Sequence, residues 1–325
     1  MTLSVAVLMD PINAIKVAKD TSLAMLLEAQ RRGHSVFYME QGDLALRDDL
    51  AWARLTPITV RDDAKDWFTL GLPVWRDLRE IDVVLLRKDP PVDAQFIYDT
   101  MVLEVAQRGG VCVVNDPASL RNCNEKLFAL QFPQCIAPTL VARDATELRH
   151  FVAKHGEVVL KPLDGMGGRG IFRVKAGDSN LNSMLETLLG GDAHGVGRQL
   201  TIAQKYIPQI SAGDKRILVI DGEPVPYALA RIPQGDEFRG NLAAGGRGEG
   251  VPLSEHDHWI VSQVAPELRQ RGLLFVGLDV IGDYLTEINV TSPTCARELE
   301  AQFGLTIMSD LFDVIEQRVS GNRTA

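Results

Sequence analysis

The residues best suited to chemistry begin with Glu157-Val-Val-Leu-Lys161-Pro-Leu-Asp-Gly165-Met-Gly-Gly168-Arg-Gly170-Ile-Phe-Arg-Val174. Two apolar runs, Val158 to Leu160 and Ile171 to Val174, flank a glycine-rich loop, which predicts strand, turn, strand. Glycines let backbone N–H groups close on an anion, and Lys161 at the strand exit adds a positive point charge. That combination suits a nucleotide phosphate. It is not a Walker A loop, because no Gly-Lys-Ser/Thr follows and a strand comes next instead of a helix. Taken alone, the same residues also fit a plain hairpin whose glycines only supply positive φ.

A second constellation is Val276-Gly-Leu-Asp279-Val-Ile-Gly-Asp-Tyr-Leu-Thr-Glu287-Ile-Asn289-Val290. Glu287 and Asn289 stand two apart on a strand and face the same way. A two-residue turn at Gly282-Asp283 would set Asp279 opposite Thr286, whereas a three-residue loop from Gly282 to Tyr284 sets it opposite Glu287. The second register also gathers Leu278, Val280, Ile288 and Val290 on one face, so burial favours it. Three oxygen-bearing side chains then converge, as they do where Mg²⁺ is held beside substrate phosphates. A solvated polar sheet face is the competing explanation.

Length and composition bound what these residues can serve. A chain of 325 residues accommodates two or three domains with substantial cores. A net charge of −9 argues against a general nucleic-acid binder. Met1-Thr-Leu-Ser-Val carries no positive n-region, so no signal peptide is expected, and no apolar run approaches the ~20 residues of a membrane span. Cys112, Cys123, Cys135 and Cys295 show no CxxC spacing and read as reduced thiols, which makes the cytosol the expected compartment.

The elements that must position the chemistry follow in order. Residues 3–9 form an apolar run suited to a strand buried on both faces of a parallel sheet. Helical spacing from Leu23 to Ala29, strands at 36–39, 81–86 and 111–114, and a helix over 94–108 complete a Rossmann-like, doubly wound α/β domain over 1–121. Asp10-Pro11 and Lys88-Asp89-Pro90-Pro91 sit at carboxyl ends of its strands, where ligands bind in such sheets, although ordinary Pro turns are as good a reading. Residues 122–208 read as a small α+β unit that carries the glycine hairpin. Residues 209–325 read as antiparallel strands, opened by a hairpin at Asp221-Gly222 and closed by helices. A long loop, 231–250, contains Arg231, Arg239 and Arg247 among glycines.

Several blocks together resemble the bacterial glutathione synthetase family of ATP-grasp ligases. They are Cys123-Asn-Glu-Lys126, Leu160 to Gly168, Asp221-Gly-Glu-Pro-Val-Pro-Tyr227, Ala230-Arg-Ile-Pro-Gln-Gly235, Arg239 to Arg247 and Leu285 to Thr294. The likeness runs nearly end to end, through Met9-Asp-Pro11, Leu26 to Gly33 and Arg87-Lys-Asp-Pro-Pro91, and departs only in loops such as 190–197 and in the C-terminal helix. The resemblance implies a pre-ATP-grasp domain followed by a two-part ATP-grasp fold. It implies ligation of γ-glutamylcysteine and glycine through an acyl phosphate, with ATP giving ADP and phosphate.

It also implies roles for particular residues. Lys126 and Lys161 are expected on ATP phosphates under backbone from Gly165, Gly167 and Gly168. Gln204, Lys205, Tyr206 and Ile207 are expected as the adenine hinge, and Asp214 at the ribose. Asp279, Glu287 and Asn289 are expected to hold Mg²⁺ or Mn²⁺, with Arg216 beside the acyl phosphate. Arg231, Arg239 and Arg247 are expected to clamp substrate carboxylates from a closing lid, and Ser292 and Thr294 to contact the dipeptide. Partners are then small molecules, with no nucleic acid or membrane, and a homotetramer is the expected assembly. Two other functions fit less of the sequence: an ATP-grasp ligase joining a different acid and amine, and a non-catalytic ATP-binding regulatory protein.

Overall fold

The computed structural model describes the whole chain except residues 1, 166, 193–194, 236–239, 241–244 and 325. The apolar run at the start becomes β1 (Ser4–Leu8), parallel to β2 (Ser35–Met39) with Val5 beside Val36 and Leu8 beside Met39. Between them α1 (Thr21–Arg31) starts at Asp20, whose carboxylate accepts the Leu23 N–H at 2.6 Å. The segment after β2 adds antiparallel strands that simple strand–helix alternation does not anticipate. These are β3 (Leu44–Arg47), the long β4 (Leu50–Val60), β5 (Phe68–Leu70) and β6 (Val74–Asp77). β4 alternates buried Ala51, Ala53 and Leu55 with more exposed residues, the period-two signature of a strand with one covered face. β7 (Val83–Leu86), α2 (Ala94–Arg108) and β8 (Cys112–Val114) return to the parallel pattern. The sheet order is β3-β4-β2-β1-β7-β8, with β5 and β6 on β4. The parallel core is as expected; the sheet as a whole is mixed.

The short helices α3 (Pro117–Asn122) and α4 (Glu125–Ala129) follow, the second capped by Asn124, which accepts from the Lys126 and Leu127 N–H groups at 3.1 Å. The second sheet is antiparallel, in the order β11-β10-β12-β9. It comprises β9 (Thr139–Ala142), β10 (Glu157–Pro162), β11 (Phe172–Lys175) and β12 (Thr201–Lys205). Helices α5 (Ala145–His155) and α6 (Leu181–Leu189) pack on it around Leu148, Val152, Val158, Leu160, Val174 and Leu185, a core of its own.

The third sheet runs β16-β15-β13-β17-β18, with β14 on β13. Its strands are β13 (Asp214–Ile220), β14 (Glu223–Pro224), β15 (Tyr227–Ile232), β16 (Arg247–Pro252), β17 (Phe275–Ile281) and β18 (Tyr284–Asn289). Asp221 and Gly222 have φ of 49° and 80°, the mirror-image two-residue turn that the Asp-Gly pair predicts. Helices α7 (Glu255–Gln270) and α8 (Ala296–Phe303) complete this part, while α9 (Ile307–Thr324) reaches back to pack on α1. The long arginine-bearing segment is shorter as a loop than expected, because its first and last residues continue β15 and β16.

Asn115 ties the first sheet to the third. Its Nδ2 donates to the Phe275 and Val290 carbonyls at 2.8 and 2.7 Å, and its Oδ1 accepts the Phe275 N–H at 2.9 Å. Asn115→Ala strips three buried backbone groups of their partners and is expected to destabilise the chain by about 3 kcal/mol. The urea midpoint of unfolding checks this, and an unchanged midpoint would show that the bonds are replaced.

Candidate active site

The three sheets enclose a cavity of about 660 Å³. Its lysine-bearing end is built by β10 and α4. Lys161, at the exit of β10, and Lys126, in the first turn of α4, are both buried, and each Nζ lies 3.7 Å from Glu287 Oε1. Lys126 also pairs very closely with Glu125 and donates to the Gly165 carbonyl at 3.1 Å, which ties the helix to the glycine loop. Gly167 and Gly168 have φ of 66° and 80°, conformations that favour glycine, and both line the cavity.

Burial, reinforced by Glu287 and opposed by Lys126, pushes Glu125 up to about 7. For Lys126, burial works downward, but Glu287 and Glu125 outweigh it and raise the ammonium. A carboxyl raised above its unfolded value contributes stability that is complete below about 4.5 and is lost as pH rises through about 7. Glu125→Gln cannot ionise, so its melting temperature relative to the natural chain is expected to climb between pH 5 and pH 8. A difference that stays flat over that range would refute the assignment.

The opposite wall is the β17–β18 hairpin, and here the structure combines two expected alternatives. The tip is a two-residue turn, with Ile281 paired to Tyr284, not the three-residue loop expected. A β-bulge between Asp279 and Val280 absorbs the extra residue, so Asp279 still pairs with Glu287 and Gly277 with Asn289. Thr286 is the surplus residue, and its hydroxyl donates to the Asp279 carbonyl at 3.0 Å.

Asp279 is 3% exposed and clamped by two guanidinium groups. Arg216, its neighbour on β13, donates from Nε and, at 2.9 Å, from Nη2; Arg231 Nη2 lies 2.9 Å from the second carboxylate oxygen. Burial alone would raise Asp279, yet Arg216 and Arg231 together hold it well below the usual carboxylate range. Arg231 therefore corrects the sequence-based expectation. It is a buried residue of β15, committed to Asp279 and, at 2.5 Å, to Asp214, and not a lid arginine. Asp214 accepts through Oδ2, while its Oδ1 is buried without a hydrogen-bond partner. Burial pushes Asp214 up to about 7 against the pull of Arg231.

Nearly all the expected site residues meet at this cavity. Gln204, Lys205, Tyr206 and Ile207 line it, as do Asn289, Ser292 and Thr294. The Lys205 and Tyr206 N–H groups are already spent on the Pro138 and Glu157 carbonyls at 2.9 and 3.0 Å, so the main chain of those two residues has only carbonyls left to offer a base edge. Arg247 is a second correction: it is exposed at the start of β16, pairs with Glu249 at 2.7 Å and does not line the cavity. Arg239 lies outside the described residues.

The lining also contains Lys16, Lys19, Asp20, Glu125, Arg169, Cys295 and Glu298, which sequence reasoning did not single out. Glu125 could have been found as the neighbour of Lys126, and Lys16 and Lys19 as followers of the Asp10-Pro11 turn. Glu298, in the first turn of an amphipathic helix, carries no such signal. Among the described residues no group of three His, Cys, Asp or Glu has metal-ligand spacing. Two carboxylates and an amide oxygen, with no soft ligand among them, nonetheless match what a hard cation takes when phosphate supplies its other oxygens.

Comparison with known proteins gives the family. The family model described as "Prokaryotic glutathione synthetase, N-terminal domain" matches residues 3–121, and "Prokaryotic glutathione synthetase, ATP-grasp domain" matches 125–304. "Glutathione synthetase" of Xanthomonas campestris pv. campestris is 66% identical over 97% of this chain and 98% of its own length. That of Pseudomonas putida is 57% identical over 98% and 99%. Among solved structures, ATP-grasp ligase PsnB has a TM-score of 0.60 at 17% identity, covering 97% of this chain and 98% of its own. D-cycloserine synthetase DcsG has a TM-score of 0.60 at 13% identity, covering 89% and 92%, so both share the fold. The chain is an ATP-dependent ligase that belongs to the prokaryotic glutathione synthetase family.

Proposed function

We propose that the cavity joins γ-glutamylcysteine to glycine through an acyl phosphate. One observation carries this: two buried lysines under a glycine loop, a hard-oxygen set and a guanidinium pair converge on one cavity. A carboxylate is a poor acyl donor, because oxide is a poor leaving group. In the proposed first step the cysteinyl carboxylate oxygen attacks the γ-phosphorus of ATP, and the bond to the β-phosphate oxygen breaks to release ADP. In the second step the amine of glycine attacks the acyl carbon, and phosphate leaves with the former carboxylate oxygen.

Lys126 and Lys161 neutralise the phosphates, with backbone of Gly165, Gly167 and Gly168 above them, so positioning and charge carry the transfer. Arg216 is assigned to the transferring phosphoryl group and then to the oxyanion, and Arg231 holds the Asp279 carboxylate that Arg216 shares. Asp279, Glu287 and Asn289 would hold Mg²⁺ or Mn²⁺, which would offset the charge of the phosphates. Gln204 to Ile207 are assigned to adenine, Asp214 to ribose, and Ser292 and Thr294 to the dipeptide. A lid between β15 and β16, the division at 121 and 208, a cytosolic setting and a tetramer belong to the same proposal. They rest on the family resemblance; among the described residues no helix is long and apolar enough to cross a membrane.

ADP release from Mg-ATP tests this, with γ-glutamylcysteine and glycine supplied singly and together. Release that needs both, with the tripeptide found by mass spectrometry, is the expected result. Release with γ-glutamylcysteine alone would point to a different amine, and no release despite ATP binding would point to a non-catalytic protein.

A further inference from the structure

Arg87, the residue after β7, is a buried cation that the proposed reaction leaves without a role. It does not line the cavity, and no carboxylate pairs with it among the described residues. Burial lowers its guanidinium to about 10, while Asp20 and Asp89 favour the charge through space. A guanidinium buried without an ion pair is costly, and its hydrogen bonds show what it holds. Nη2 donates to the Pro293 carbonyl at 2.9 Å, and Nε to Ser22 Oγ, at the start of α1, at 3.2 Å. The Phe275 ring lies beneath the guanidinium, 5.7 Å from its centre.

Pro293 stands in the middle of the segment between β18 and α8. Thr291, Ser292, Thr294 and Cys295 line the cavity, whereas Pro293 does not. Cys295 has φ of 88°, a conformation that costs a residue with a side chain and lasts only where its surroundings enforce it. Upstream, Asn115 holds the Val290 carbonyl at 2.7 Å. Asn115 follows β8 and Arg87 follows β7, so the carboxyl ends of two neighbouring parallel strands grip one segment at two points. Asn289, by contrast, is fixed by its pairing with Gly277 across the hairpin. Release at Pro293 therefore frees Ser292 and Thr294 without loosening the hard-oxygen set.

We propose that Arg87 is a positioning residue: by holding the Pro293 carbonyl it fixes Ser292 and Thr294 where the acid substrate docks. It touches no substrate itself. This rests on the ligase reading above, in which those two side chains contact the dipeptide. A charged donor holds a buried carbonyl more firmly than a neutral one, and side chains fixed beforehand bind without first being ordered. Arginine suits the task because its fork reaches two elements at once, the segment on one side and α1 on the other.

The test is KM for γ-glutamylcysteine and for ATP in the natural chain, Arg87→Met, Arg87→Lys and Ser22→Ala, with the melting temperature of each. Arg87→Met is expected to raise KM for the dipeptide by about 30-fold and to leave KM for ATP within about twofold. Lysine keeps one charged donor, so Arg87→Lys should recover most of the loss. Ser22→Ala, which cuts only the bond to α1, should match the natural chain. A lower melting temperature of Arg87→Met with unaltered kinetics would make Arg87 structural only and overturn the proposal. Equal rises in both KM values would overturn it too, as would a loss reproduced by Ser22→Ala, which routes the effect through α1. Should Arg87→Met not fold, Arg87→Gln, too short to reach the carbonyl, is read in the same way. A natural chain that yields no tripeptide refutes the ligase reading and this proposal with it. One that yields it, beside an Arg87→Met variant with unchanged KM for the dipeptide, refutes this proposal alone.

Discussion

Asp279→Asn is expected to lower kcat by about 10³-fold and to destabilise the folded chain by about 3 kcal/mol at neutral pH. The two losses have different origins. Asp279 is buried between Arg216 and Arg231, and their pull overcomes burial to keep it ionised. An amide of the same shape leaves two buried guanidinium groups facing a neutral partner, which is costlier than removing the whole cluster. The catalytic loss comes from the hard-oxygen set, which loses a charged member. Glu287→Gln separates the two effects. Glu287 is half-buried and meets its lysines only at 3.7 Å, and Glu125 still pairs with Lys126, so its amide should cost activity comparably while lowering the urea midpoint less than Asp279→Asn does. Equal stability losses in the two variants would defeat this account, and so would an Asp279→Asn protein as stable as the natural chain.

Because folded Asp279 is held below its unfolded value, its contribution to stability is present above the ordinary carboxylate range and disappears as pH falls through the folded value. The stability gap between the natural chain and Asp279→Asn should therefore persist at neutral pH and close in strong acid. Glu125 and Asp214, both raised, act in the opposite sense over a higher range, so the difference between variants is informative where a single profile is not.

What could be read from the sequence divides along physical lines. The glycine hairpin and the Asp279–Glu287–Asn289 face were legible because strand periodicity places alternate side chains on one face whatever surrounds them. The bulge at Thr286 was not, since one surplus residue leaves no mark on composition; burial of Leu278 and Ile288 pointed to the right pairing through the wrong turn. β4 escaped notice because its buried face is made partly of Ala51 and Ala53, which give little hydrophobic contrast. Arg231 was misplaced because the glycines after it suggested a loop from its first residue, whereas strand pairing carries β15 through Ile232. Glu298 and Lys19 owe their position to the packing of α8 near the segment before α1, a juxtaposition of residues far apart in sequence. Local pattern located what lies on one element; it could not locate what two distant elements bring together.

Gly277→Ala should lower kcat/KM for ligation by about 100-fold while leaving ATP affinity nearly intact, although glycine itself contributes no functional group. Gly277 lies on β17 two residues before Asp279, on the same face, and the Arg216 side chain crosses it to reach that carboxylate. A Cβ at Gly277 would stand 2.7 Å from Arg216 Cδ, 3.2 Å from its Nε and 3.1 Å from Pro293 Cβ. Pro293 is itself held by Arg87, which donates to its carbonyl at 2.9 Å, so the wall behind has little room to yield. The added methyl group must therefore displace the guanidinium, and displacement by a fraction of an ångström breaks its double grip on Asp279. Gly42→Ala, where a Cβ meets nothing within 4 Å, is the silent control. Arg216→Lys tests the route of the effect, because lysine cannot reproduce the two-pronged contact. If Gly277 acts by positioning Arg216, the double variant should be little worse than Arg216→Lys alone. Losses that multiply would show that Gly277 acts independently, and the crossing of Arg216 over Gly277 would then be incidental to catalysis.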